Sequence, residues 1–218
     1  MSAVEKLLRG NTAWARATNE ADPNFLPGLA EKQQPQVLWI GCADSRVPET
    51  TITGSRPGDI FVHRNIANQF QPKDINALSV LEYAIDFLHV KHVVLVGHSN
   101  CGGAAACLAA AIRESNADGP TTESIPKDAP LDLWLAPLTK LARSLGPVDM
   151  SRDGALNLLI ETNVKHQVDQ ICKSKTIVEA WRKEKDVTVY GWVYDLATGI
   201  IQDLGISRSR ETWPGLPG

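Results

Sequence analysis

Apolar positions along this chain follow two rhythms. Four stretches, QVLWIG (36–41), DIFVHR (59–64), HVVLVG (92–97) and VTVYGWVYD (187–195), are rich in β-branched residues, and three of them are almost uninterruptedly apolar. Runs of that kind belong to strands covered on both faces. Between the second and third, DINALSVLEYAIDFLH (74–89) sets Ile75, Leu78, Leu81, Tyr83, Ile85 and Leu88 at helical positions behind Asp74, a favoured N-cap residue. A strand, helix, strand crossover joins parallel strands, so the pattern predicts a parallel sheet.

Helical spacing returns three more times: from Gly102 through AAACLAAAIRE, in LDLWLAPLTKLARSL (131–145), and in SRDGALNLLIETNVKHQVDQICKS (151–174). SNADGPTTESIPKDAP (115–130) is polar and carries three prolines, the composition of a surface loop inserted between helices. YDLATGIIQDLG predicts a hairpin into a short antiparallel edge strand. At the start, Val4, Leu7, Leu8, Trp14 and Ala15 lie at helical spacing. The expected architecture is one α/β domain with a mostly parallel central sheet, an antiparallel edge strand and flanking helices. Within it, residues 1–35 form a helical arm, 36–205 the core, and 206–218 a loosely held tail.

Length and composition narrow the classes of function. At 218 residues and 43% hydrophobic, the chain can bury a substantial core. Its 22 basic and 25 acidic residues leave a net charge of -3, no footprint for nucleic acid or an anionic membrane, and so favour a small or neutral partner. No apolar run reaches the length of a membrane span, and the first residues lack the apolar core of a secretory signal, so a cytoplasmic location is expected. Four cysteines, Cys42, Cys101, Cys107 and Cys172, are too sparse for a disulfide scaffold and leave reduced thiols, metal ligation or catalysis.

Two strands end alike: VLWIG runs into Cys42, and VVLVG runs into His98. In an open parallel sheet, the crevice beyond the C-terminal strand ends is where ligands bind, so both thiols and the imidazole can converge there. His98 and Cys101 share one short loop, and Gly102 and Gly103 behind them let backbone come close. Cys101 precedes a helix, whose N-terminal dipole favours a thiolate. The other half is CADSR, whose spacing can put Cys42, Asp44 and Arg46 on one side of a turn. Two thiolates, an imidazole and a carboxylate or water make a four-coordinate set suited to zinc. Taken singly, either cysteine is as readily a buried packing residue, and His98 with Cys101 also has the makings of a base and its nucleophile. Cys107 and Cys172 sit in helical patterns and read as packing residues, while His63, His89, His92 and His166 have no convergent partners in the sequence.

CADSR after an apolar strand, then GDIFVHRNIAN, then GHSNCGG after the next strand, follow the order found in the β-class carbonic anhydrases, which this chain resembles; GWVYD extends the resemblance over about residues 36–205. It implies one zinc per chain on Cys42, His98 and Cys101, with Asp44 paired to Arg46, and reversible hydration of CO2 to bicarbonate and a proton. Zinc supplies hydroxide near neutral pH, and two thiolates make it a weaker acidifier than an all-histidine set, so activity is expected to favour alkaline pH. Asp44 has two incompatible roles: held by Arg46 it orients the hydroxide and leaves the fourth position open, whereas released from Arg46 it becomes the fourth ligand and closes the site.

In one subgroup of the family, bicarbonate at a second site favours the closed form. Trp39, Arg64 and Tyr194 match that site, which implies inhibition by bicarbonate. The resemblance further implies a homodimer assembling to a tetramer, with the N-terminal helix across the partner and Tyr83, Gly102 and Gly103 beside the CO2 pocket. Rival expectations are a hydrolase of CS2 or COS on the same zinc site, and a non-catalytic zinc-stabilised bicarbonate-binding protein. A cysteine-nucleophile enzyme leaves Cys42, Asp44 and Arg46 without purpose, and position 107, where a phosphate loop starting at Cys101 needs arginine, is cysteine.

Overall fold

Each of the four β-branched runs forms a strand, because its residues feed apolar side chains alternately to both sheet faces. In the computed structural model, which describes residues 1–113, 126–146 and 151–215, these are β1 (Val37–Cys42), β2 (Ile60–Asn65), β3 (His92–His98) and β4 (Thr188–Tyr194). A short β5 (Ile201–Asp203) completes a five-stranded sheet in the order β2-β1-β3-β4-β5. All neighbours are parallel except β4 and β5, which form the antiparallel hairpin expected from YDLATGIIQDLG. One face sends Leu38, Ile40, Val93, Leu95 and Val189 into a cluster with Leu81, Ile85, Ile171, Ile177 and Trp181. The other sends Trp39, Val94 and Val96 into a cluster with Leu108, Leu135, Leu138 and Leu159.

The helices α1 (Ala3–Ala21), α4 (Ile75–Glu82), α5 (Gly102–Ile112), α6 (Pro130–Ser144) and α7 (Arg152–Lys173) occupy the predicted stretches. Asp74 caps α4 by accepting from the Asn76 N–H, and a π-helical turn over Tyr83–Phe87 extends the helix towards β3. Three further helices lie outside those stretches: α2 (Phe25–Glu31), α3 (Glu49–Thr53) and α8 (Lys175–Arg182). α8 follows α7 after one residue, Ser174, whose hydroxyl donates to the Ile171 carbonyl behind it and accepts from the Ile177 N–H ahead. Residues 115–125 of the expected surface loop lie outside the described residues.

Two regions differ in how they are held. α1 has no buried residue, with Leu7 74% exposed, so among the described residues nothing covers its apolar stripe. The C-terminal segment, in contrast, is anchored rather than loose as far as it is described. Arg208 bridges Val189, Arg210 pairs with Glu184 at 2.9 Å, and the Trp213 ring meets Trp181 at 6.2 Å. The aromatic burial of Trp213 offsets the chain entropy that the polar composition of this segment suggested would win.

Candidate metal centre

Parallel pairing of β1 and β3 brings their C-terminal ends side by side, and with them Cys42 and the His98 to Cys101 loop. The ligand atoms of Cys42, His98 and Cys101 all lie within 4.8 Å of one another, and all three residues are buried. His98 Nδ1 is 2.9 Å from the Ser99 carbonyl, which can only accept, so Nδ1 carries the proton and Nε2 presents its lone pair. That Nε2 is buried and has no hydrogen-bond partner, an arrangement a folded protein avoids unless something else satisfies the atom. Two thiols and one free imidazole lone pair therefore fit zinc by donor set and by orphaned atom alike.

Backbone groups prepare the sulfurs for a cation. Cys101 is the N-cap residue of α5, and the Gly103 and Ala104 N–H groups reach its sulfur. Cys42 receives the Asp44 and Ala67 N–H groups. Without a metal the two thiols share a hydrogen bond. That bond, helped by these N–H donors against the cost of burial, brings Cys42 down to about 4, and it pushes Cys101 up.

Asp44 stands at the mouth of the trio, with Oδ2 3.9 Å from His98 Nε2. Its carboxylate accepts three bonds from Arg46: the backbone N–H at 2.9 Å, Nε at 3.0 Å and NH2 at 2.7 Å. This hold keeps the Asp44 carboxyl far below the usual carboxylate range. Arg46 NH2 also donates to the Asn100 carbonyl at 3.2 Å, so one guanidinium ties the Cys42 loop to the Cys101 loop.

Trp39, Arg64 and Tyr194 all project from one face of the sheet, since Arg64 pairs with Gly41, two residues from Trp39, and Tyr194 continues the β4 face opposite His98. Their side chains are engaged separately. Trp39 meets Trp192 edge-on at 6.4 Å; Arg64 donates through Nε to the Cys42 carbonyl at 2.8 Å and through NH2 to the Asp44 carbonyl, with Glu49 3.7 Å from its NH1. Tyr83 lies on the π-helical turn, 45% exposed and stacked on Phe87 at 5.4 Å. Gly102 faces open space, while Gly103 packs so tightly that an added Cβ would lie 3.1 Å from Ala67 Cβ. Cys107 and Cys172 are wholly buried, and burial pushes their thiols up to about 11 and about 12, as suits packing residues. The supporting contacts from Ser99 and Ala67 carry no sequence signal, because each acts through its backbone.

The chain's likeness to known proteins agrees with this geometry. The family model described as carbonic anhydrase matches residues 37–201. A carbonic anhydrase of Emericella nidulans is 36% identical over 93% of this chain and 83% of its own length, and one of Candida albicans 35% identical over 96% and 70%. Among solved structures, a tetrameric β-carbonic anhydrase of Sordaria macrospora superposes with a TM-score of 0.81 at 40% identity, covering 94% of this chain and 98% of that one. A β-carbonic anhydrase of Aspergillus fumigatus gives 0.84 at 38% identity, covering 97% and 95%. The chain belongs to the carbonic anhydrase family, in its β class. It is accordingly an enzyme of CO2 hydration, and zinc is its cofactor. Among the described residues no helix is long and apolar enough to cross a membrane.

Proposed function

We propose that Cys42, His98 and Cys101 hold the zinc, that Asp44 with Arg46 forms the catalytic dyad beside it, and that bicarbonate slows the enzyme from a second site at Trp39, Arg64 and Tyr194. The observation that carries the first part is the orphaned Nε2 of His98 facing two thiols within 4.8 Å. When bound there, zinc supplies hydroxide at a pH where bulk water has almost none. Asp44 then serves as a fixed acceptor: because Arg46 occupies its oxygens from one side, the carboxylate keeps a single orientation and turns the attacking oxygen's lone pair to the carbon. The same grip would keep Asp44 off the metal, as an open site requires.

The bicarbonate reading rests on a mechanical link. Arg64 holds the carbonyls of both Cys42 and Asp44, so an anion drawing the guanidinium away releases the turn that aims Asp44. A ligand shifts the balance towards the closed form only by binding that form better. For assembly, the exposed apolar stripe of α1 suits a dimer in which each arm lies across its partner, with pairs of dimers forming a tetramer; the Sordaria enzyme is tetrameric. Residues 1–35 are then the arm of a single domain, and Tyr83, Gly102 and Gly103 border the pocket. Four free cysteines suit the reducing cytoplasm.

Stopped-flow CO2 hydration on zinc-loaded protein, from about pH 7 to about pH 9, tests the catalytic reading. Rates should rise with pH. Zinc-loaded protein without turnover would point instead to CS2 or COS hydrolysis or to a non-catalytic bicarbonate binder. Bicarbonate inhibition beyond saturation, weakened in Trp39→Phe, is expected; identical curves for the two proteins would remove the second site.

A further inference from the structure

The segment joining β2 to α4 leaves the sheet at Asn65, the register partner of Cys42, and its backbone is contorted. Ala67 and Asn68 adopt φ 63° and 44°, the left-handed region that side-chain-bearing residues enter only at an energetic cost. Ala67 is wholly buried, so nothing in solvent holds it there. Hydrogen bonds do. Trp134 Nε1 donates to the Ile66 carbonyl at 2.8 Å, and Asn65 exchanges bonds with both backbone groups of Gln69 at 2.7 and 2.8 Å. From α7, a three-bond ladder closes over the turn: Phe70 N–H to Gln167 Oε1 at 2.9 Å, Gln167 Nε2 to Asn163 Oδ1 at 2.9 Å, and Asn163 Nδ2 to the Ala67 carbonyl at 3.0 Å. Asn163 and Gln167 are 3% and 4% exposed.

Polar side chains this deep are expensive unless each bond they make is needed. A fully satisfied ladder one helical turn apart, aimed at a single strained peptide, has a job beyond packing. The product of the strain is the orientation of the Ala67 N–H, which bonds the Cys42 sulfur. Such a bond withdraws electron density from a thiolate and fixes its position, which matters where two thiolates load one metal with charge.

We propose that Asn163, backed by Gln167, is a positioning residue of the metal centre: it clamps Ala67 in the left-handed conformation so that the Ala67 N–H stays bonded to the Cys42 sulfur. This rests on the reading of Cys42 as a zinc ligand. The clamp acts on the sulfur from behind, and it makes the sulfur a weaker donor and a firmer one.

The test is spectroscopic, on full-length protein with cobalt(II) replacing zinc, comparing wild type, Asn163→Ala and Asn163→Ala/Ala67→Gly. Loss of the N–H bond raises the energy of the sulfur lone pairs, so the sulfur-to-cobalt charge-transfer band should move to longer wavelength in Asn163→Ala. Zinc should also pass to a chelator about tenfold or more faster. Glycine accepts φ 63° without strain, so the double variant should recover the wild-type band without its clamp. Asn163→Leu, which keeps the volume, carries the same comparison if the alanine variant does not accumulate. A lowered melting temperature with band and zinc transfer unchanged would overturn the proposal and leave Asn163 a packing residue. A wild-type protein that binds neither metal would instead overturn the ligand reading itself, and this inference with it.

Discussion

Gly97 stands one residue before His98, and a methyl group there has nowhere to go. An added Cβ would lie 2.8 Å from Val164 Cγ2 and 3.3 Å from Ile160 Cγ2, both on α7, where the two residues are almost wholly buried. Carbon atoms rest about 3.5–4.0 Å apart, so Gly97→Ala forces β3 and α7 apart by roughly 0.7 Å or more at that point. Overpacking of this kind costs about 1–3 kcal/mol. At about 2–4 °C per kcal/mol for a chain of this size, the melting temperature should fall by about 2–12 °C. Because the displaced strand ends in His98, the variant should also release zinc to a chelator faster than wild type. Gly102→Ala is the control: a Cβ there meets nothing within 4 Å, so its melting temperature should stay within about 2 °C. Thermal unfolding and chelator kinetics on the three proteins decide the matter. Equal melting temperatures and release rates for Gly97→Ala and wild type would mean that β3 yields without moving His98, and the rigid coupling of helix, strand and ligand would be wrong.

Cys101→Ser should lose most of its zinc by metal analysis and its CO2 hydration with it, because serine is a poor ligand for this ion; full zinc occupancy would remove Cys101 from the ligand set. Arg46→Ala frees Asp44 from its three bonds, so hydration should fall by about tenfold or more while zinc content holds; an unchanged rate would show that Asp44 keeps its aim unaided. In zinc-free protein, folding holds the Cys42 thiol down at about 4 against an ordinary value near 9. The unfolded chain therefore binds one more proton between those values, and the contribution to stability is present at high pH and lost as pH falls through about 4. Melting temperatures of zinc-free wild type and Cys42→Ser should thus converge towards acid pH; a constant gap would contradict a thiolate at Cys42.

How much of this was legible before any fold was in view depends on how local the signal is. The four β-branched runs became four strands within a residue or so, because burial on both faces leaves a strand no composition but a continuously apolar one. The trio of Cys42, His98 and Cys101 was equally legible, since the C-terminal ends of parallel strands open onto one crevice. Helix α8 was not, because about two turns are too few to set a periodic pattern apart from the helix before it. Nor was the anchoring of the last segment, which depends on Trp213 meeting a ring 32 positions away in Trp181.

By itself, then, the order of residues determined the sheet, the crevice and the donor atoms that meet there, because each follows from short-range periodicity and from which residue ends a strand. Only the tertiary structure decided the state of those atoms: which His98 nitrogen is free, that Arg46 grips Asp44 while reaching the opposite loop, and that a left-handed Ala67 is pinned beneath Cys42 from a helix 96 positions further along. Those are properties of backbone direction and of contacts between distant segments, and a hydrogen bond made by a peptide group leaves no mark on the side chain that the sequence records.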